Sequence, residues 1–278
     1  MKKIIAALDG LDFSAGTAQY AAYLASSAKA ALTGVFLDDA AYHRYRIYDL
    51  LGDEGVSENR LKEMIAKEKQ MRRESVKRFE RICDEATVKG KIRHDRNTAL
   101  KELLVESIYA DMLVIDRKNA FGKRDDEMPG FFLRSVLNNT ACPVLVIPSS
   151  YKAFQKIVLL YDGSPPSVHA MKSFCYLLPC FCKLPLDIVT VKQSGNYPDI
   201  SDKYLMNDWI KRYFRQVDYK EANGDPEGTI IQYAKSQKND CLFITGARPQ
   251  GLLSPLFRES MADMLIKEVS APIFVARY

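Results

Sequence analysis

The sequence predicts an α/β protein made of two tandem domains, each an open parallel sheet with helices on both faces. The first observation behind this is a repeat. The chain opens with KKIIAALDGLDFSAGTAQYAAYLA, and from Gln155 it reads QKIVLLYDGSPPSVHAMKSFCYLL. Each copy is a lysine, a short β-rich apolar run ending in Asp-Gly, a serine and then a stretch of helical period. Asp9-Gly10 therefore corresponds to Asp162-Gly163, and Ser14 to Ser167. The second observation is another repeated anchor: ADMLVIDR, Ala110 to Arg117, matches NDCLFITG, Asn239 to Gly246. Pro143 follows Asp111 by 32 residues and Pro272 follows Asp240 by 32, each opening a final apolar run. The third is the order of elements. Apolar strands alternating with helical stretches indicate a parallel sheet covered on both sides.

Taken in order, each half reads as five strands. The first strand ends at Asp9 or Asp162, and a helix follows. Between the anchors of the first half lies a charged run, Ser57 to Lys89, with Leu61, Ile65, Val76, Phe79 and Cys83 at helical spacing. Its counterpart, roughly Ile200 to Phe214, is expected to be about two turns shorter. Next come TALKELLVESIY in one half and GDPEGTIIQYA in the other, where Pro226 after Asp225 suits a helix start. The boundary is expected near Ser149-Ser150-Tyr151-Lys152, giving domains 1–150 and 151–278.

Composition narrows the function class. Apolar residues are 47% and charged residues 27%, the balance of a globular chain with real cores. A net charge of +5 is small for 278 residues, so no nucleic-acid partner is expected. The apolar run after Lys3 stops at Asp9, too short for a signal peptide, and no run is long enough to span a bilayer. The expected location is cytoplasmic, with no membrane partner. The six cysteines, Cys83, Cys142, Cys175, Cys180, Cys182 and Cys241, sit mostly in apolar runs and read as free buried thiols. Cys180 and Cys182 form a C-x-C pair near Cys175, but no histidine lies close by, so no metal site is expected.

In an open parallel sheet the ligand crevice lies beyond the carboxyl ends of the strands, where strand order reverses. With an order of 3-2-1-4-5, the flanking loops carry Asp9-Gly10 and Asp162-Gly163 on one side. Asp116-Arg117 and Thr245-Gly246 lie on the other. Each Asp-Gly is equally readable as a turn into a helix with the aspartate as a cap. No phosphate-cradling or nucleophile-elbow motif is present, and His43, His94 and His169 are scattered. A dedicated enzyme is not expected.

The order strand–DGxxxS–helix, a GDP before a helix, an aspartate-led strand and a CP- or AP-led final strand resembles the universal stress protein family, twice over nearly the whole chain. The resemblance implies two five-stranded sheets of order 3-2-1-4-5, the adenine nucleotide alpha hydrolase-like arrangement. It also implies pairing of the two halves through their last strands, Val144 to Ile147 and Ile273 to Ala276, as a pseudo-dimer, with a homodimer as a further form.

Nucleotide-binding members carry G-x-x-G, nine residues, then G-(S/T) after strand four. There the glycines admit phosphates and the hydroxyl donates to them. The corresponding positions here are Gly246, Pro249, Glu259 and Ser260 in the second half, and Arg117, Ala120, Gly130 and Phe131 in the first. Asp162, Gly163, Val191, Gly246 and Ser260 form a reduced nucleotide set, so ATP is implied, if anywhere, in the C-terminal half. The first site, Asp9, Gly10, Arg117 and Gly130, is degenerate, with Lys118, Lys123 and Arg124 offering only charge. Each lost phosphate contact costs about 1 to 3 kcal/mol, so three departures weaken binding by a few powers of ten. Ser254-Pro255 is expected to start the helix, leaving Ser260 inside it. Two readings stay open: a non-catalytic stress-response scaffold or small-ligand module with an eroded phosphate loop, and an ATP-binding stress protein using its second half.

Overall fold

The computed structural model describes residues 1–37, 58–94, 98–118, 129–192, 201–237, 240–247 and 260–278. The first half contains β1 (Lys3–Asp9), α1 (Ala15–Ala28), β2 (Ala31–Leu37), α2 (Glu58–Glu85), β3 (Gly90–His94), α3 (Ala99–Ile108), β4 (Met112–Asp116), α4 (Phe131–Asn139) and β5 (Val144–Ile147). The second contains β6 (Lys156–Leu160), α5 (Pro165–Leu177), β7 (Leu186–Lys192), α6 (Ser201–Ile210), β8 (Val217–Asn223), α7 (Pro226–Ser236), β9 (Cys241–Ala247), α8 (Met261–Glu268) and β10 (Ile273–Arg277). A 3-10 turn, Pro179–Phe181, follows α5.

The described strands form one sheet in the order β3-β2-β1-β4-β5-β10-β9-β6-β7-β8. Each half has the expected 3-2-1-4-5 order. The halves meet where β5 and β10 run antiparallel, with Val144 opposite Val275, Leu145 opposite Phe274 and Val146 opposite Ile273. Leu145 and Phe274 occupy the same place in the repeat, so a pseudo-two-fold axis passes between them. Two apolar strands that would each be an exposed edge thus satisfy one another. The remaining edges, β3 and β8, are mostly exposed and carry Lys91, Arg93 and His94, and Asp218, Lys220 and Glu221. Charged edges of this kind resist further strand addition.

Both faces are covered, which is why β1, β4, β5, β6 and β9 read as unbroken apolar runs. On one face α1, α2, α5 and α6 pack over a core containing Tyr20, Leu24, Phe79, Phe174 and Phe274. On the other, α3, α4, α7 and α8 cover Leu103, Leu113, Leu133, Phe243 and Leu265. Each core runs through both halves. Phe174 meets Phe274 edge-on at 5.5 Å beside the pseudo-two-fold.

Local chemistry explains several boundaries. Ser14 caps α1, accepting from the Thr17 N–H. Asp225 caps α7 by accepting from the Gly228 N–H at 2.7 Å, with Pro226 at the first helical position, as the GDP motif suggested. Other expectations need correction. α2 has 28 residues and α6 has 10, a difference of 18 rather than two turns. Ile65 is 54% exposed, so the core-facing stripe of α2 is carried by Phe79, Ile82 and Cys83 towards its C-terminal end.

The second anchor also shifts. Ile4 pairs with Met112 and Ile157 with Leu242, while Leu113 pairs with Val144 and Phe243 with Ile273. Met112 thus corresponds to Leu242, Leu113 to Phe243 and Asp116 to Gly246. The matched spacing of 32 aligned Asp116 with Thr245 and Arg117 with Gly246, one residue out of step. A one-residue slip turns every side chain to the opposite face, so the sheet decides the register. Met112 and Leu242 lie in one core, and Leu113 and Phe243 in the other.

Candidate functional site

In the second half the reduced nucleotide set gathers at the carboxyl rim of three adjacent strands. β6 lies between β7 and β9, with Leu160 opposite Val189 and Leu159 opposite Ile244. Asp162 leaves β6 there, Val191 lies half-buried near the end of β7, and Gly246 lies near the end of β9. The Asp162 carboxylate accepts from the Ser164 N–H at 2.9 Å and from the Ser164 hydroxyl at 2.6 Å, closing a turn across Gly163, whose φ is +77°. The aspartate therefore shapes the turn, and Ser164 is the helix cap.

Gly246 is required for packing. A Cβ there would come within 2.3 Å of the Pro166 carbonyl group and 2.8 Å of the Ser167 nitrogen. Only glycine lets β9 lie against the first turn of α5.

Ser260 departs from expectation in a useful direction. It is the N-cap of α8, not an interior residue. Its hydroxyl accepts from the Asp263 N–H at 3.1 Å, and the Asp263 carboxylate accepts from the Ser260 N–H at 3.1 Å. This capping box places Ser260 at the donating end of the helix, where an anion is favoured. Asp263 already takes one of those donors and adds negative charge. Pro249, Ser254, Pro255 and Glu259 lie outside the described residues.

The corresponding region of the first half is filled by its own side chains. Asp116 stands where Gly246 stands in the repeat. It is buried, accepts from the Ser14 hydroxyl at 2.7 Å and the Ser149 hydroxyl at 3.3 Å, and accepts from the Lys118 N–H at 2.9 Å. Asp9 closes a turn by accepting from the N–H groups of Leu11 and Asp12. Gly10 is covered by α2: the Ser75 hydroxyl donates to its carbonyl at 2.8 Å, and Arg72 lies beside it. Burial pulls the Arg72 guanidinium below its ordinary value, and Asp9 opposes the shift. Arg78 sits over the Phe13 ring at 4.8 Å. Gly130 caps α4, the structural counterpart of Ser260, while Phe131 is the first helical residue and 64% exposed. The missing hydroxyl is therefore a glycine, not the aromatic ring that the ungapped alignment placed there. Ala120, Lys123 and Arg124 lie outside the described residues.

Arg117, placed by its spacing in the degenerate first site, has another role. Its guanidinium instead crosses the seam and donates to the carbonyls of Val269 at 2.8 Å and Ile266 at 3.4 Å, at the end of α8. Arg277 reciprocates by donating to the Asn138 carbonyl at the end of α4. Each half thus supplies a cation to the C-terminal carbonyls of the other half's last helix, where positive charge is favoured.

The comparisons with known proteins match this geometry. No protein-family model matches the sequence. A universal stress protein of Synechocystis is 23% identical over 292 aligned positions, covering 100% of both chains. The crystal structure of a universal stress protein from Archaeoglobus fulgidus superposes with a TM-score of 0.72 at 15% identity, covering 99% of this chain and 98% of that one. This chain shares that fold over nearly its whole length. A putative universal stress protein from Pseudomonas aeruginosa is similar over 100% of this chain and 93% of its own, with a TM-score of 0.57 and 12% identity.

Within this universal-stress fold, three features escaped sequence reasoning: the Asp116–Ser14 bond, the reciprocal arginines, and the cover that α2 places over Gly10. The arginines carried no motif, because a helix end is completed by any cation that reaches it. The position of Asp116 was within reach, had the face pattern of β4 been matched to β9 instead of the spacing. No helix among the described residues is long and apolar enough to cross a membrane. No group of three or more metal-ligating side chains occurs among them.

Proposed function

We propose that this protein is a non-catalytic, cytoplasmic regulatory protein of the universal stress type, acting as a tandem scaffold or small-ligand module. Its two domains would be 1–150 and 151–278, held as an intramolecular pseudo-dimer. The observation that carries this reading is Asp116 in place of Gly246. A buried carboxylate tied to Ser14 stands where the repeat's other copy has a bare glycine packed on the start of α5, so the first crevice opposes phosphate by charge.

One observation favours a second reading, in which the C-terminal half holds an adenine nucleotide. Ser260 begins a helix at the rim that also carries Asp162, Gly163, Val191 and Gly246. Calorimetry with ATP on the native protein and on Asp9→Ala and Asp162→Ala separates the readings. The scaffold reading expects no binding at millimolar ATP. The nucleotide reading expects binding that Asp162→Ala weakens and Asp9→Ala leaves unchanged. Equal losses from both substitutions would overturn the asymmetry on which both readings rest.

A further inference from the structure

The segment joining the halves lies in a groove at the seam, and the pseudo-two-fold generates a second groove. In the first, Ser149 passes so close to α1 that a Cβ on Gly16 would lie 2.4 Å from its carbonyl oxygen. Tyr151 packs edge-on against Tyr20 at 4.8 Å and Tyr23 at 5.8 Å. The Tyr20 hydroxyl donates to the Lys152 carbonyl at 2.8 Å and lies 3.2 Å from the Lys152 N–H. Phe154 is buried beyond, against Tyr23 and Phe181. An extended peptide with an aromatic side chain is thus bound by this protein's own surface.

The repeat carries Gly16, Tyr20 and Tyr23 onto His169, Ser173 and Tyr176, and Ser149 onto Tyr278. Those residues, with Asp111, Thr140, Cys142 and Pro143 across the seam, line a cleft of about 570 Å³. Tyr278 lies edge-on to His169 at 5.7 Å, as the equivalence requires. Two differences shape the cleft. Ser173 replaces the bulk of Tyr20, which leaves room, and Tyr176 is 55% exposed where Tyr23 is half-buried under Tyr151. The Tyr176 ring is packed edge-on with Trp209 at 6.3 Å and Tyr213 at 6.1 Å, neither of which lines the cleft.

We infer that this cleft is a docking groove for an extended segment of a partner protein carrying a tyrosine or phenylalanine, bound as the linker is bound in its twin. The proposal deepens the scaffold reading, and its test is independent of nucleotide, so either can fail alone. The probe is the protein's own linker as a capped peptide, PSSYKAFQ, followed by the anisotropy of a labelled copy and by the fluorescence of Trp209, the chain's single tryptophan. The native protein is expected to bind with a dissociation constant of about 1 mM or tighter. Replacing the peptide's tyrosine with alanine, or Tyr176→Ala in the protein, should weaken binding about fivefold, the worth of one aromatic pair. Ser173→Tyr restores the hydroxyl that grips the linker backbone and should tighten binding, a gain that misfolding cannot imitate. No binding by the native protein at several times that concentration would overturn the proposal. So would binding that is indifferent to both Tyr176→Ala and the tyrosine-free peptide.

Discussion

The Ser14 hydroxyl donates to Asp116 Oδ2 at 2.7 Å, and in the second half the same place is occupied by Gly246 lying against Pro166 and Ser167. One position of the repeat is thus a polar tie in one copy and a bare backbone contact in the other. Asp116→Ala leaves the Ser14 hydroxyl and the Lys118 N–H without that carboxylate in a buried setting. A loss of about 1–3 kcal/mol is expected in urea unfolding. Gly246→Ala forces a methyl group into the start of α5 and is expected to cost about 1–3 kcal/mol by overpacking. Unfolding curves within 0.5 kcal/mol of native for either variant would contradict these packing roles.

Glu259 puts a negative charge at the position where the nucleotide-binding motif has a glycine. The described structure begins again at Ser260, the cap of α8. Glu259→Gly and Glu259→Gln should both tighten ATP binding several-fold, and added salt should shrink the gain. Calorimetry at low and high salt checks this. Unchanged affinity in both variants would show that charge at this position does not limit the site.

Asp187 makes the acid dependence of the second half predictable. Burial raises its carboxyl, but hydrogen bonds from Lys156 at 2.8 Å and Tyr233 at 2.5 Å outweigh burial and hold it below the usual carboxylate value. A depressed folded value means stability that is present above the unfolded value, about pH 4, and is lost as pH falls below it. Asp187→Asn should therefore be less stable than native at pH 7, and the difference should narrow as pH drops below about 4. A gap that stays constant from pH 7 to pH 3 would rule out this ion pair as its source.

The thiols offer a test of burial. Burial pushes Cys83 and Cys241 up to about 11 and Cys142 up to about 12. At pH 8 about a thousandth or less of each is thiolate, the reactive form. Labelling with a thiol-specific disulfide reagent at pH 8 should reach these three cysteines only on unfolding, as mass mapping would reveal. Rapid labelling of Cys142 in the folded protein would contradict the burial that raises its thiol.

Much of the fold was legible because its determinants are local and periodic. The apolar runs of β1, β4, β6 and β9, the GDP cap at Asp225 and the repeated Asp-Gly each carry their reason within a few residues. The pairing of Val144–Ile147 with Ile273–Ala276 followed from the resemblance, and it closes two apolar edges that could not stay open.

The site was less legible, because it depends on distances across the sheet and not along the chain. A spacing of 32 residues is the same in both halves, yet hydrogen-bond register puts Asp116, not Arg117, on Gly246. The sequence by itself determined the fold and the duplication, since these follow from which residues recur and in what order. Only the tertiary structure decided that Arg117 and Arg277 each close the other half's last helix, and that the linker fills one seam groove and leaves its twin a cleft. Those outcomes depend on which backbone groups meet across the seam, and contacts between residues more than a hundred positions apart leave no periodic trace in a sequence.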